Sequence, residues 1–163
     1  MSDQDNVREI VTDWRKLVVP CEEFSFSNPV VDPEKISLEL VNTCRSKNGV
    51  GLAANQIGYD TRVIAVLGDG TDFVMFNPVI VHSEGEQTLD EACLSFPGVI
   101  VPIKRALSVR VRFKAPNGET FTKKFNGLTA RIIQHEIDHL DGILFYNKTD
   151  RYHRDKALKK LRK

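Results

Sequence analysis

Two stretches of the chain place apolar residues at the three- and four-residue spacing of an amphipathic helix. The first begins at residues 32–34, Asp-Pro-Glu, where aspartate can cap the helix and proline suits its first turn. Residues 48–49, Asn-Gly, are typical of a helix end. The second stretch runs from Leu128 to Asp141, and Gly142 follows it. Each stretch therefore predicts one helix with a face for the core.

Short apolar runs and alternating patterns between these helices predict β-strands. Residues 62–67 and 73–81 are apolar runs, and residues 107–115 alternate apolar with basic side chains. Residues 116–118, Pro-Asn-Gly, predict a tight turn, so residues 120–125 should form the partner strand of a hairpin.

The segment GVGLAANQIG at residues 49–58 is rich in small residues, and we expect no regular structure there. Strands outnumber helices and do not alternate with them one for one. The pattern therefore predicts an α+β fold, in which antiparallel β-sheets pack around a central helix that carries the residues HEIDH.

Length and composition narrow the class of protein. The chain has 163 residues, 28% of them charged, and a net charge of +1, so we expect one compact domain over residues 1–163 with a short basic tail at about 148–163. Three widely spaced cysteines do not suggest a disulfide framework. The polar start resembles neither a signal nor a transit peptide, and no apolar run approaches the ~18 residues of a membrane span. We expect a cytoplasmic monomer that binds no membrane.

The pair His135 and His139 lies four residues apart, on one face of the second predicted helix. Both imidazoles could reach one divalent cation, and Glu136 could reach a water on that cation. Solvated surface side chains are the alternative, although the apolar flanks favour a metal site. Catalytic sites usually have a third protein ligand. Cys93 could supply it, but a lone cysteine is more often a core residue, and His153 lies in the basic tail.

Three segments together resemble the signature motifs of the peptide deformylase family. GVGLAANQ at residues 49–56 resembles G-apolar-G-apolar-A-A-x-Q, EACLS at 91–95 resembles E-G-C-L-S, and QHEIDHL at 134–140 resembles Q-H-E-x-D-H-L. Their order and approximate spacing fit the family from about Trp14 to about Phe145. Enzymes of this family remove the formyl group from the N-terminal formyl-methionine of new polypeptides and release formate.

This resemblance implies a mononuclear metal hydrolase. Cys93, His135 and His139 would hold one divalent metal ion, with Fe(II) expected first and zinc, nickel or cobalt as alternatives. Metal-bound water would be the nucleophile, since a metal lowers the pKa of water from 15.7 toward ~7. Glu136 would be the general acid and base.

The resemblance also implies the groups that bind the substrate. Gln56 and the backbone N–H of Leu94 would bind the developing oxyanion, where each donor is typically worth ~10²–10³ in rate. Gly51 would bind the substrate backbone. Three apolar residues would line the methionine pocket: Val50, Leu128 and Ile132.

Two residues depart from the family pattern. Ala92 stands where the family usually has glycine, and we expect extended backbone there rather than a strained positive φ. Arg131 replaces an apolar residue of many relatives, and it could either face outward or close the pocket rim with its alkyl stem.

The resemblance names partners as well. The substrates would be N-formylmethionyl nascent peptides in a bacterial or phage-infected cell. Relatives often end in a basic helix that docks on the ribosome, and residues 151–163 are strongly basic, although a solvated helix end is an equal alternative.

Two other functions remain open from the residues alone. A zinc-dependent endopeptidase needs only the HEIDH segment, but it leaves residues 49–56 and 91–95 unexplained. A non-catalytic, ribosome-associated metal-binding module has no need for Glu136 or Gln56.

Overall fold

The computed structural model describes residues 6–68 and 72–162. It has an α+β architecture, as the sequence predicts. In chain order the helices and strands are α1 (Trp14–Leu17), α2 (Pro33–Ser46), β1 (Gly51–Ala53), β2 (Val63–Leu67), β3 (Asp72–Glu84), β4 (Gln87–Glu91), β5 (Val101–Arg105), β6 (Ser108–Lys114), β7 (Thr120–Asn126), α3 (Gly127–Leu140) and α4 (Arg151–Leu161). Short 3-10 turns follow β1 and precede α4, at Ala54–Ile57 and Phe145–Lys148.

The strands form two antiparallel sheets. Five of them lie in the order β1-β2-β3-β6-β7, and β4 pairs with β5 in a separate two-stranded sheet. Strand β1 is at one edge of the larger sheet, so its outward edge is not paired with any strand of the described residues. That open edge lies beside α3, where the candidate site is found.

The larger sheet is covered by one helix on each face. Side chains of β2 alternate between the two sides: Ile64 and Val66 pack in the cluster with α3, whereas Val63 and Ala65 pack in the cluster with α2. Burial on both faces explains why β2 is an uninterrupted apolar run. The expected central helix carrying HEIDH is α3, and this prediction is confirmed.

The expectation that residues 49–58 lack regular structure is wrong. Gly51 begins a strand, because its backbone pairs with Val66 of β2 and its missing side chain lets α3 approach closely. A Cβ atom at Gly51 would lie 2.6 Å from Cγ2 of Ile132. The following 3-10 turn is tied to the same helix by Asn55, whose amide donates a hydrogen bond to the backbone oxygen of His139 at 2.8 Å.

The helix ends follow the predicted signals closely. The side chain of Asp32 accepts hydrogen bonds from the backbone N–H groups of Glu34 and Lys35, as a cap should. After α2, Asn48 adopts a left-handed φ of 56°, and after α3, Gly142 has a φ of 73°. Among the described residues, no helix combines the length and apolarity that crossing a membrane requires.

Candidate metal centre and substrate cavity

Three buried side chains from two segments bring their donor atoms together. His135 and His139 project from α3, and Cys93 lies just after β4. One ligand atom from each lies within 4.8 Å of the others, and Sγ of Cys93 is 3.2 Å from Nε2 of His139. Bond lengths of about 2.0–2.3 Å place the ligands of one ion roughly 3–4 Å apart, so this set fits a metal ion. His153 instead contacts Asp150 at the start of α4.

The two imidazoles have different electrostatic surroundings. Burial, together with the charges of His135 and Arg105, holds the pKa of His139 well below its usual range, so its ring is neutral and able to bind a metal. Burial also lowers the pKa of His135, but hydrogen bonds to Cys93 and Glu91 outweigh it and raise the value to about 10. A metal must therefore displace a proton from this cluster, which makes its affinity pH-dependent.

Glu136 is buried beside the cluster. Burial raises the pKa of its carboxyl to about 7, against the opposing charges of His135 and Arg105. Its Oε2 atom has no hydrogen-bond partner within the described part of the chain, and the residue lines the same cavity as Cys93. A carboxyl in this environment can both accept and release a proton near neutral pH.

The side chain of Gln56 is fixed at both ends of its amide. Its Oε1 accepts a hydrogen bond from the backbone N–H of Ala53 at 2.9 Å, and its Nε2 donates to Oγ of Ser95 at 3.0 Å. Nε2 also lies 3.5 Å from Sγ of Cys93. The amide donor is therefore held next to the three candidate metal ligands.

A cavity of about 430 Å³ opens beside these groups. The residues of interest that line it are Val50, Gly51, Gln56, Cys93, Leu94, Leu128, Arg131, Ile132, His135 and Glu136. Val50 and Leu128 are exposed at its rim, whereas Ile132 is only 6% exposed. A groove of similar size along β3 and β6 is lined by Arg62, Arg112 and Lys114 and contains none of the proposed catalytic groups.

Glu91 is a central residue of the site to which the sequence assigned no role. Its Oε1 accepts from Nδ1 of His135 at 2.8 Å and from Nη2 of Arg105 at 2.9 Å. Burial raises the pKa of Glu91, but the bonds from Arg105 and His135 outweigh it and lower the value to about 2. A carboxylate that accepts from Nδ1 leaves Nε2 of the ring for a metal. The sequence feature that could have pointed to Glu91 is its position at the start of the EACLS motif, two residues before Cys93.

Arg131 does not face outward, and that alternative is wrong. The residue is 6% exposed, and its guanidinium points to the two-stranded sheet, where Nη1 donates to Oε2 of Glu91 at 2.6 Å. Ala92 avoids a strained positive φ, as expected. Among the described residues a positive φ outside glycine occurs only at Asn48 and Asn77, so Ala92 is not strained.

Comparison with known proteins identifies a family and several relatives of this chain. The family model described as Polypeptide deformylase matches residues 7–155. The chain is 41% identical to peptide deformylase 1 of Bacillus anthracis over 145 residues, which cover 87% of this chain and 91% of that protein.

Solved structures agree with the sequence comparison. A peptide deformylase from Thermus thermophilus has a TM-score of 0.88 and 30% identity, covering 96% of this chain and 93% of that one. A peptide deformylase from Acinetobacter baumannii with bound Met-Ala-Ser has a TM-score of 0.82 and 30% identity, covering 87% of this chain and 98% of that one. The extent of these matches shows that the chain belongs to the polypeptide deformylase family.

Proposed function

We propose that this chain hydrolyses the N-formyl group of formyl-methionine at the start of newly made polypeptides and releases formate. One observation carries the proposal: a metal-ligand cluster, a buried carboxyl and a fixed side-chain amide all adjoin one cavity with apolar walls. A relative with bound Met-Ala-Ser supports it, because that tripeptide is the product expected from formyl-Met-Ala-Ser.

The proposed metal ligands are Cys93, His135 and His139. One thiolate and two imidazoles suit Fe(II) as the native ion, with zinc, nickel or cobalt as alternatives that the same donor set accepts. A bound divalent metal supplies Lewis acidity, which activates water and polarises the formyl carbonyl.

Glu136 is the proposed general acid and base. Its buried carboxyl, with a pKa raised to about 7, takes a proton from the attacking water and passes it to the departing amine. The amide of Gln56 and the backbone N–H of Leu94 donate to the oxygen that becomes negative after attack. Ser95 and Ala53 hold Gln56 in place, so little reorganisation is needed when the charge develops.

The open edge of β1 is the proposed binding site for the substrate backbone. An extended peptide can add to such an edge as a further strand, and the backbone of Gly51 begins the strand that forms this edge. Val50, Leu128 and Ile132 then surround the methionine side chain, which is apolar and flexible enough to fill a pocket of this kind.

The remaining proposals concern the whole chain. Residues 1–163 form one catalytic domain with a basic tail at about 148–163, and it acts as a monomer in the cytoplasm of a bacterial or phage-infected cell. The tail binds the ribosome, because α4 exposes the cationic side chains of Lys156, Lys159 and Lys160 while Ala157 packs in the core.

The direct test is formate release from formyl-Met-Ala-Ser, assayed anaerobically with Fe(II). Wild-type protein should turn over, and Glu136→Ala should lower kcat by ~10²–10⁴ while it still binds one metal per chain. Glu119→Gln, at an exposed turn, is the matched control and should retain full activity. Absence of formate from fully metal-loaded wild type would contradict the proposal, and cleavage of internal peptide bonds would favour the endopeptidase alternative.

A further inference from the structure

Arg131 joins α3, the helix of both proposed histidine ligands, to both strands of the small sheet. It lies on α3, one turn before His135, and its side chain is almost fully buried. Nη1 donates to the backbone oxygen of Ile103 in β5 at 3.0 Å, and Nη2 donates to the backbone oxygen of Gln87 in β4 at 2.5 Å. The guanidinium group is thus fixed by bonds to two backbone oxygens as well as by Glu91.

Glu91 lies between Arg131 and the proposed metal ligand His135. Its Oε2 accepts from Arg131 and from Nε of Arg105 at 2.8 Å, while its Oε1 accepts from His135. Both oxygens are occupied, so the carboxylate plane cannot rotate without breaking a charge-assisted bond. Arg105 holds both oxygens of Glu91 through Nε and Nη2, while Asp138 engages its Nη1 at 2.5 Å. Arg131 adds a third guanidinium bond, at Oε2, and thereby ties the carboxylate to α3 itself.

We propose that Arg131 is a positioning residue for the metal centre, which acts through the Glu91 carboxylate to fix the orientation of His135. The inference rests on the proposed metal site at Cys93, His135 and His139. Loss of groups that orient a ligating histidine typically weakens metal binding ~10–100-fold. A simple cross-link between α3 and the small sheet would instead change stability and leave metal affinity unchanged.

The test measures Co(II) affinity by competition with a chelator, together with the Co(II) absorption spectrum and unfolding in urea. Arg131→Met keeps an unbranched stem beside the cavity but removes the guanidinium, and it should weaken Co(II) binding ~10–100-fold and alter the spectrum. Arg131→Lys keeps the charge with fewer donors and should recover part of the affinity.

Two further variants separate positioning from stability. Val111→Ala removes core packing in the larger sheet and breaks no hydrogen bond of Arg131 or Glu91, so it should lower stability and leave Co(II) affinity unchanged. If Arg131 acts through Glu91, its effect should largely disappear once Glu91 is changed. In a protein that already carries Glu91→Gln, Arg131→Met should therefore weaken Co(II) binding by less than about a further threefold.

The inference would be overturned if Arg131→Met kept wild-type Co(II) affinity while losing stability as Val111→Ala does. It would also be overturned if the effects of Arg131→Met and Glu91→Gln on Co(II) affinity were fully additive. Should Arg131→Met fail to fold, Arg131→Lys decides: unchanged affinity and spectrum overturn the inference, and weakened binding supports it. Wild-type protein that binds no metal at Cys93, His135 and His139 would overturn the proposed site itself, which distinguishes the two failures.

Discussion

At the scale of single residues, Gln56 offers a direct test of how the negative charge that develops on the formyl oxygen is stabilised. Its amide is fixed by Ala53 and Ser95, so it can stabilise an oxyanion without first reorganising. Gln56→Ala should therefore lower kcat by ~10²–10³ and change KM little. The measurement is formate release with metal content determined on the same preparation. Asn28→Ala, which removes an exposed side-chain amide, should behave as wild type, and a parallel loss of metal from Gln56→Ala would contradict this role.

A second single residue, Glu91, should make the free energy of unfolding depend on pH. Burial raises its pKa, but bonds from Arg105 and His135 lower it to about 2, below the ordinary value of 4.5. The unfolded chain therefore binds more protons between these values, so the stabilisation is complete above about pH 4.5 and is lost toward pH 2.

Urea unfolding of chelator-treated protein would measure this effect. The difference in free energy of unfolding between wild type and Glu91→Gln should shrink by on the order of 2 kcal/mol between about pH 5 and pH 3. A difference that does not vary with pH would show that folding leaves the pKa of Glu91 unchanged, which would contradict this prediction.

Single residues of the site differ in how far the sequence alone could place them. His135 and His139 follow from helix geometry, because four residues span one turn. Cys93 needed the family motif, since nothing in a lone cysteine indicates which helix it will face. The inward direction of Arg131 could not be predicted, because it depends on how β4 and β5 fold over α3.

At the scale of elements, prediction succeeded where one local pattern determines a structure. Helices α2 and α3 and strands β2, β6 and β7 have clear periodicity, caps or turns. Strand β4 has polar and mostly exposed residues, and β1 is only three residues long. Both strands are stabilised by pairing with other strands, and a local sequence pattern cannot predict such pairing.

Gly51 provides the prediction that belongs to this scale. A Cβ there would lie 2.6 Å from Ile132 and 2.9 Å from Oε1 of Glu136, so Gly51→Ala should displace β1 from α3. We expect a loss of about 1–3 kcal/mol in stability together with a marked fall in kcat/KM. Gly118→Ala is the control: its φ of 87° makes alanine strained, but it lies in the β6–β7 turn. It should lose stability and keep full activity, and equal activity in both variants would contradict the expectation.

At the scale of the whole molecule, the basic tail is part of the folded structure. Ala157 of α4 is buried in the same apolar cluster as Cys93 and Phe145. Deleting residues 151–163 would therefore expose core surface next to a proposed metal ligand. Such a deletion could weaken ribosome binding simply by disturbing the fold, so charge must be changed without removing the helix.

Reversing exposed charges on α4 tests ribosome binding without that complication. Lys156, Lys159 and Lys160 are exposed, and replacing all three by glutamate leaves Ala157 in place. If the tail contacts RNA phosphates, the triple variant should lose ribosome co-sedimentation, and the wild-type affinity should fall steeply with salt. Formate release from a free formyl peptide should be unchanged, because these lysines do not line the cavity. Undiminished co-sedimentation at low salt would instead favour a solvated helix whose lysines serve solubility.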